Sequence, residues 1–140
     1  AAPDSDEYRV GAPPVSAVLR LAAHGLEGEV LISDGDLSGA ISAFKSGIAI
    51  EDQNNYTEPP DWAQPMRHYL GAALLKAGRP EEAEAVYRRD LRWNQNNGRS
   101  LFGLQQALSL QGKETEATEV HSRWRRAWAF SDVELAASHF

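Results

Sequence analysis

The sequence contains no cysteine and only one methionine in 140 residues. Without thiols the chain forms no disulfide, and thiolate zinc sites and iron–sulfur clusters are excluded as well. Long apolar runs are also missing, because segments such as Ala72-Ala73-Leu74-Leu75 fall far short of the roughly 18 to 20 residues that a spanning helix needs. We therefore expect a fold that depends on side-chain packing and is not inserted in a membrane.

Basic residues are few relative to acidic ones, 14 against 20, which gives a net charge of -6. This balance disfavours nucleic acid and anionic membranes as partners, because both carry dense negative charge. Hydrophobic residues make up 42% and charged residues 24%, as in ordinary globular proteins, and the length is that of about one domain. We predict one compact globular domain that binds no nucleic acid.

Residue patterns that carry chemistry are missing too. The histidines show no i, i+4 pairing that would place two metal ligands on one helix face, and they are His24, His68, His121 and His139. There is no Gly-x-Ser-x-Gly elbow and no glycine-rich phosphate loop. We therefore predict no catalytic residue, no metal site and no cofactor. His121 is instead expected to be a buried core residue.

Three segments repeat one spacing of small and bulky residues. Each has a glycine, an alanine five positions later and a bulky residue four further on: Gly35, Ala40 and Phe44; Gly78, Ala83 and Tyr87; Gly112, Ala117 and His121. Seven positions before these glycines lie Gly28, Gly71 and Gln105. Small residues let two helices approach closely, and the bulky residue fills the remaining gap. The pattern predicts three helical hairpins that bury their apolar faces only by stacking.

This pattern resembles the tetratricopeptide repeat, a unit of 34 residues with two antiparallel helices, and is similar to bacterial members of unassigned role. The resemblance implies an all-α solenoid. The turn glycines are 43 and then 34 residues apart, so an insertion is expected at 55–63. The expected segments are an arm rich in proline at 1–14, repeats at about 15–54, 64–96 and 97–130, and a C-terminal capping helix at 131–140.

Charges and capping residues mark the helix ends. Pro80 suits the first position of a helix, and acids precede bases both after it and after Glu114, which complements the helix dipole. Asp61 is expected to cap the helix that follows the insertion. Ser131 lies three residues before Glu134, the spacing of a capping box, and so predicts the terminal helix.

The family's first helices line a concave groove that holds peptides or other proteins. The resemblance thus implies a non-catalytic interaction scaffold, with another protein or peptide as its partner. The candidate groove residues that match the family's groove positions are His68, Leu75, Lys76, Arg99, Phe102 and Gln106.

A second candidate surface lies near the C-terminus and consists of Trp124, Arg125, Trp128, Leu135 and Phe140. The two tryptophans are four residues apart and share a helix face, so they either pack against neighbouring helices or anchor a partner. The alternative function is a self-assembling subunit, a homo-oligomer or filament, joined through the arm and the solenoid ends. Ala1-Ala2-Pro3 would suit a processed N-terminus, so both a cytoplasmic and an exported protein remain open.

Overall fold

The computed structural model describes residues 14–53 and 64–139, and these two ranges contain six α-helices. The helices are α1 (Val15–Ser33), α2 (Leu37–Glu51), α3 (Met66–Lys76), α4 (Pro80–Trp93), α5 (Gly98–Leu110) and α6 (Glu114–Ala127). The expected all-α class is confirmed. The expected arm, up to residue 13, and the expected insertion with Asp61 lie outside the described residues.

The chain divides into two compact units, Ala1–Met66 and Arg67–Phe140. In the first unit α1 packs against α2. In the second unit α4 packs against α5, and α5 against α6. Successive helices are therefore neighbours within each unit, as in a helical solenoid.

The three hairpin turns share one backbone geometry. Their glycines all have the positive φ that favours glycine, at 84°, 69° and 72°, and are Gly35, Gly78 and Gly112. The amide after each glycine donates to the carbonyl five residues earlier, at 2.8, 2.9 and 3.0 Å, and the acceptors are Leu31, Leu74 and Leu108. This is the Schellman arrangement, which ends a helix by satisfying its last carbonyls.

The predicted packing frame lies in the core in the first two hairpins, and in the third its alanine does. Ala40, Ala83 and Ala117 are all buried. Phe44 is fully buried against Gly28 of α1, where an added methyl group would overlap its ring. Tyr87 occupies the same place against Gly71 in the second hairpin.

Local signals set most helix starts. Pro80 is the first residue of α4, as predicted, and the Asn97 side chain caps α5 by accepting from the amides of Arg99 and Ser100 at 3.0 and 3.1 Å. The start of α3 is later than predicted, at Met66. Pro65 has no amide hydrogen and restricts the residue before it, which delays the helix.

Two further predictions were wrong. The expected C-terminal capping helix is not formed, because residues 131–139 are not helical. A segment of about ten residues cannot hold a helix by itself, so the contacts described below decide its conformation. The expected burial of His121 is also wrong, since its side chain is exposed. Helix α6 packs against α5 and buries Ala117 and Val120, whereas the His121 side chain is not buried by this packing.

Candidate functional site

The non-helical residues 131–139, hereafter the C-terminal segment, contact α3, α4 and α5 of the second unit. Ser138 is its most buried residue, with 1% of its surface exposed. The Ser138 hydroxyl donates to the backbone carbonyl of His68 at 3.0 Å and lies 2.6 Å from the phenolic oxygen of Tyr87. One hydroxyl group thereby joins the C-terminal segment to α3 and α4.

Further contacts hold the C-terminal segment on either side of Ser138. The Gln106 amide of α5 donates to the carbonyl of Ala136 at 3.4 Å. The His139 ring lies against Tyr69 of α3, with ring centroids 3.7 Å apart. We call the surface formed by His68, Tyr69, Tyr87 and Gln106 the α3/α5 face. It holds the segment through one main-chain contact, one hydroxyl pocket and one ring contact.

The ring of Tyr87, whose hydroxyl belongs to the α3/α5 face, lies between two glycines. A methyl group at Gly71 of α3 or at Gly103 of α5 would overlap its ring, so both helices lie directly against it. Burial raises the pKa of the Tyr87 phenol, and the hydrogen bond with Ser138 only partly offsets this effect. The phenol therefore stays protonated and can donate a hydrogen bond at any physiological pH.

A buried polar cluster lies next to this face. The Ser100 hydroxyl donates to Asp90 Oδ2 at 2.6 Å, and the Asn94 amide donates to Asp90 Oδ1 at 3.0 Å. His68 Nε2 is 3.6 Å from Asp90 Oδ2, which is an ion-pair distance and too long for a hydrogen bond. Burial would raise the pKa of Asp90, but the neighbouring imidazole, hydroxyl and amide hold it below its usual value.

The three residue types of this cluster also occur in serine hydrolases, but their arrangement here differs. A nucleophilic serine needs a histidine base within hydrogen-bond reach. Here Ser100 donates to Asp90 rather than to His68, and all three side chains are at most 2% exposed. The geometry is that of a buried structural network.

A second network ties α4 to the turn between α5 and α6. Glu84 accepts from Arg88 at 2.7 Å, and from Gln111 and Lys113 at 2.8 Å each. Burial opposes ionisation, but these three donors outweigh it and lower the pKa of Glu84 to about 2. Arg88 in turn bonds Glu116 of α6 at 2.6 Å. The network links three successive helices of the second unit.

The predicted groove residues fall into three groups. Gln106 and the backbone of His68 meet at the C-terminal segment, although the His68 side chain is itself buried. Phe102 packs against Trp124 of α6, with centroids 5.4 Å apart. The described contacts do not bring the others to the segment: Leu75 and Arg99 are half-buried and Lys76 is exposed.

The second predicted surface is partly used for packing. Trp128 lies against Gly98 at the start of α5, and its indole nitrogen donates to the carbonyl of Val133 at 2.7 Å. Arg125 is exposed and Leu135 half-buried. Phe140 lies outside the described residues.

Sequence reasoning missed Tyr69, Tyr87 and Ser138 as parts of a site. Tyr87 was assigned to the core, where it does lie, and the position of its hydroxyl on the α3/α5 face carries no signal in the sequence. The glycine at Gly103 was a usable signal, because a glycine inside a helix pattern marks a close approach.

Compared with models of known protein families, the chain matches none, and a search of curated proteins finds no similar sequence. No helix within residues 14–53 and 64–139 is long and apolar enough to cross a bilayer.

Proposed function

We propose that the chain is a non-catalytic interaction scaffold of the tetratricopeptide type, whose α3/α5 face binds an extended segment of a partner protein. The observation that carries the proposal is the C-terminal segment, which already lies on this face without forming a helix. The repeated frame of turn glycine, alanine and aromatic residue supports the family. The α3/α5 face supports the mode of binding, because peptide recognition needs contacts to both main chain and side chains.

Each contact on the α3/α5 face recognises a different feature of the bound segment. The Gln106 side chain donates to a backbone carbonyl, so this contact tolerates any residue type at that position of an extended segment. Tyr69 presents a ring to the ring of His139, which favours a flat side chain there. The buried hydroxyl pocket at Ser138 is the most selective contact, since it leaves room for little else.

Selection from a displayed library of ten-residue peptides, followed by fluorescence anisotropy on the full chain, tests this proposal. We expect the recovered peptides to lose affinity severalfold with Gln106→Ala. The matched control is Gln95→Ala, an exposed residue of the α4–α5 loop, which should leave affinity unchanged. The proposal would be contradicted if Gln106→Ala left the peptide affinity unchanged and the bound peptide mapped to the first unit.

We propose self-assembly as the second candidate function, because α1 has an unpartnered apolar stripe among the described residues. Leu19, Leu26 and Val30 lie on one face of the helix at spacings of seven and four, and each is at least half exposed. A stripe of this kind is typical of contact between copies.

Light scattering of the pure chain over a hundredfold concentration range tests self-assembly. Growth in mass that Leu26→Glu abolishes would support it, with Leu110→Glu, another exposed leucine, as the control. A monomer at every concentration would rule it out.

A further inference from the structure

We propose that the C-terminal segment is an intramolecular ligand of the α3/α5 face, and that partner segments bind by displacing it and by placing a serine or threonine hydroxyl where Ser138 lies. This inference rests on the proposed function and adds the chemistry of the ligand and its regulation. It follows from the hydroxyl pocket and from the small share of the segment that is buried.

The pocket is built for a hydroxyl group. The His68 carbonyl can only accept a hydrogen bond, so the single proton of the Ser138 hydroxyl goes to it. The Ser138 oxygen must then accept from the Tyr87 phenol, 2.6 Å away. A ligand group that both donates and accepts within this small space is an alcohol. Alanine at this point would leave the buried Tyr87 phenol without its partner and remove a donor from the His68 carbonyl, and a carboxylate could not donate to that carbonyl.

The segment is attached weakly enough to leave. Ser138 is its only buried residue, and Ser131, Asp132, Val133 and Glu134 are exposed. Segments with little buried surface open more readily than the core around them. The α3/α5 face beneath the segment, in contrast, rests on Tyr87 and its two glycines, so it keeps its form when the segment opens.

Tethering determines the affinity of outside ligands. A segment joined to its own site by a short link competes at an effective concentration of the order of millimolar. A partner therefore meets a face that is open for only a fraction of the time, and its apparent affinity falls by that fraction. Any change that weakens the tethered segment should strengthen binding of an added peptide by a similar factor.

The test uses a fluorescein-labelled peptide with the sequence of residues 131–140 and the full chain. We expect the Ser138→Ala chain to bind this peptide about tenfold more tightly than the wild-type chain, because one well-placed hydrogen-bonded pair is lost from the competitor. The same peptide carrying Ser138→Ala should bind either chain about tenfold more weakly. Ser122→Ala, which removes an exposed hydroxyl on α6, is the control and should match the wild type.

The outcomes separate this inference from the proposed function. Equal binding of the peptide to the wild-type and Ser138→Ala chains overturns the inference and leaves the function standing. The inference also fails if library peptides bind the α3/α5 face but the peptide of residues 131–140 does not. If neither kind of peptide binds either chain, the proposed function fails as well.

Hydrogen exchange on the wild-type chain gives an answer even if Ser138→Ala does not fold. We expect the amides of Ala136 to His139 to exchange faster than those of Leu104 to Leu108 in α5, and an added library peptide to accelerate them further. Exchange of the segment as slow as that of α5, unchanged by peptide, would show a permanent part of the fold and overturn the inference.

Discussion

At the scale of single residues, the core of the first unit contains an apolar contact at its last residue. Met66, at the start of α3, lies against Gly25 of α1 and Gly47 of α2. A methyl group at Gly25 would come within 2.9 Å of the Met66 side chain, and one at Gly47 within 3.3 Å. The two glycines therefore make the space that the methionine fills.

The equivalent positions of the next repeat hold the polar cluster. Counted from Gly28 and Gly71, His68 corresponds to Gly25 and Asp90 to Gly47, and Ser100 follows Met66 by one repeat length of 34 residues. The repeat frame determines which positions meet, but it does not determine whether the residues at those positions are polar or apolar. For that reason the frame could be predicted from the sequence, whereas the buried Asp90 network could not.

The first prediction concerns this network. Asp90→Ala removes the acceptor of the Ser100 hydroxyl and the charge beside His68, and should lower the free energy of unfolding by about 3–5 kcal/mol in urea titrations. Asp34→Ala, at the exposed end of α1, is the matched control and should change it by about 0.5 kcal/mol or less. An equal effect of the two substitutions would show that the network does not stabilise the fold.

The second prediction concerns helix packing. Gly28→Ala should destabilise the chain by about 1–3 kcal/mol, because the added methyl overlaps the Phe44 ring. Alanine is otherwise the better helix former, so any loss measures the overlap. Phe44→Leu in the same chain should recover part of the loss, as seen in a double-mutant cycle. Thermal unfolding that shows Gly28→Ala to be stabilising would refute the close contact.

At the scale of helices, the sequence predicted elements well where the signal is local. Gly78 and Pro80 determine the turn into α4 by backbone geometry alone, and the structure agrees. The prediction from sequence was wrong at Ser131 and Glu134, where the spacing of a capping box indicated a helix. In the structure the Trp128 indole nitrogen donates a hydrogen bond to the carbonyl of Val133. The Ser138 hydroxyl forms hydrogen bonds with α3 and α4. A short segment follows such distant contacts, which a linear pattern does not contain.

The third prediction concerns the Glu84 network and pH. The folded chain holds the pKa of Glu84 at about 2, below an ordinary value of 4.5. Between these two values the unfolded chain binds more protons than the folded one, so stability rises with pH. The contribution of Glu84 is fully present above about pH 5 and is lost as the pH falls towards 2.

Urea titrations between pH 7 and pH 3 check this prediction. Glu84→Gln should cost about 1 kcal/mol at pH 7, the size expected of an ion-pair network near the surface, and the difference from wild type should shrink as the pH falls. Glu119→Gln, an exposed glutamate on α6, is the control and should leave the pH profile unchanged. A difference that stays constant with pH would show that the Glu84 charge is not the cause.

At the scale of the whole molecule, the proposed function depends on where the chain places its own C-terminal segment. The resemblance implied a binding groove on the first helices, with Gln106 among its candidate residues, and this remains a prediction. The sequence could not predict that residues 131–139 would lie on the α3/α5 face, because the contacts of Ser138 join residues 70 and 51 positions apart. Contacts between residues so far apart in the sequence form only when the second unit has folded.

The most direct test of this account is a nuclear Overhauser measurement on the full chain in solution. We predict cross-peaks between the His139 and Tyr69 rings, and between the Ser138 β-protons and the Tyr87 ring, that weaken when a peptide of residues 131–140 is added in excess. Random-coil shifts for residues 131–139, with no cross-peak to either tyrosine, would contradict the account.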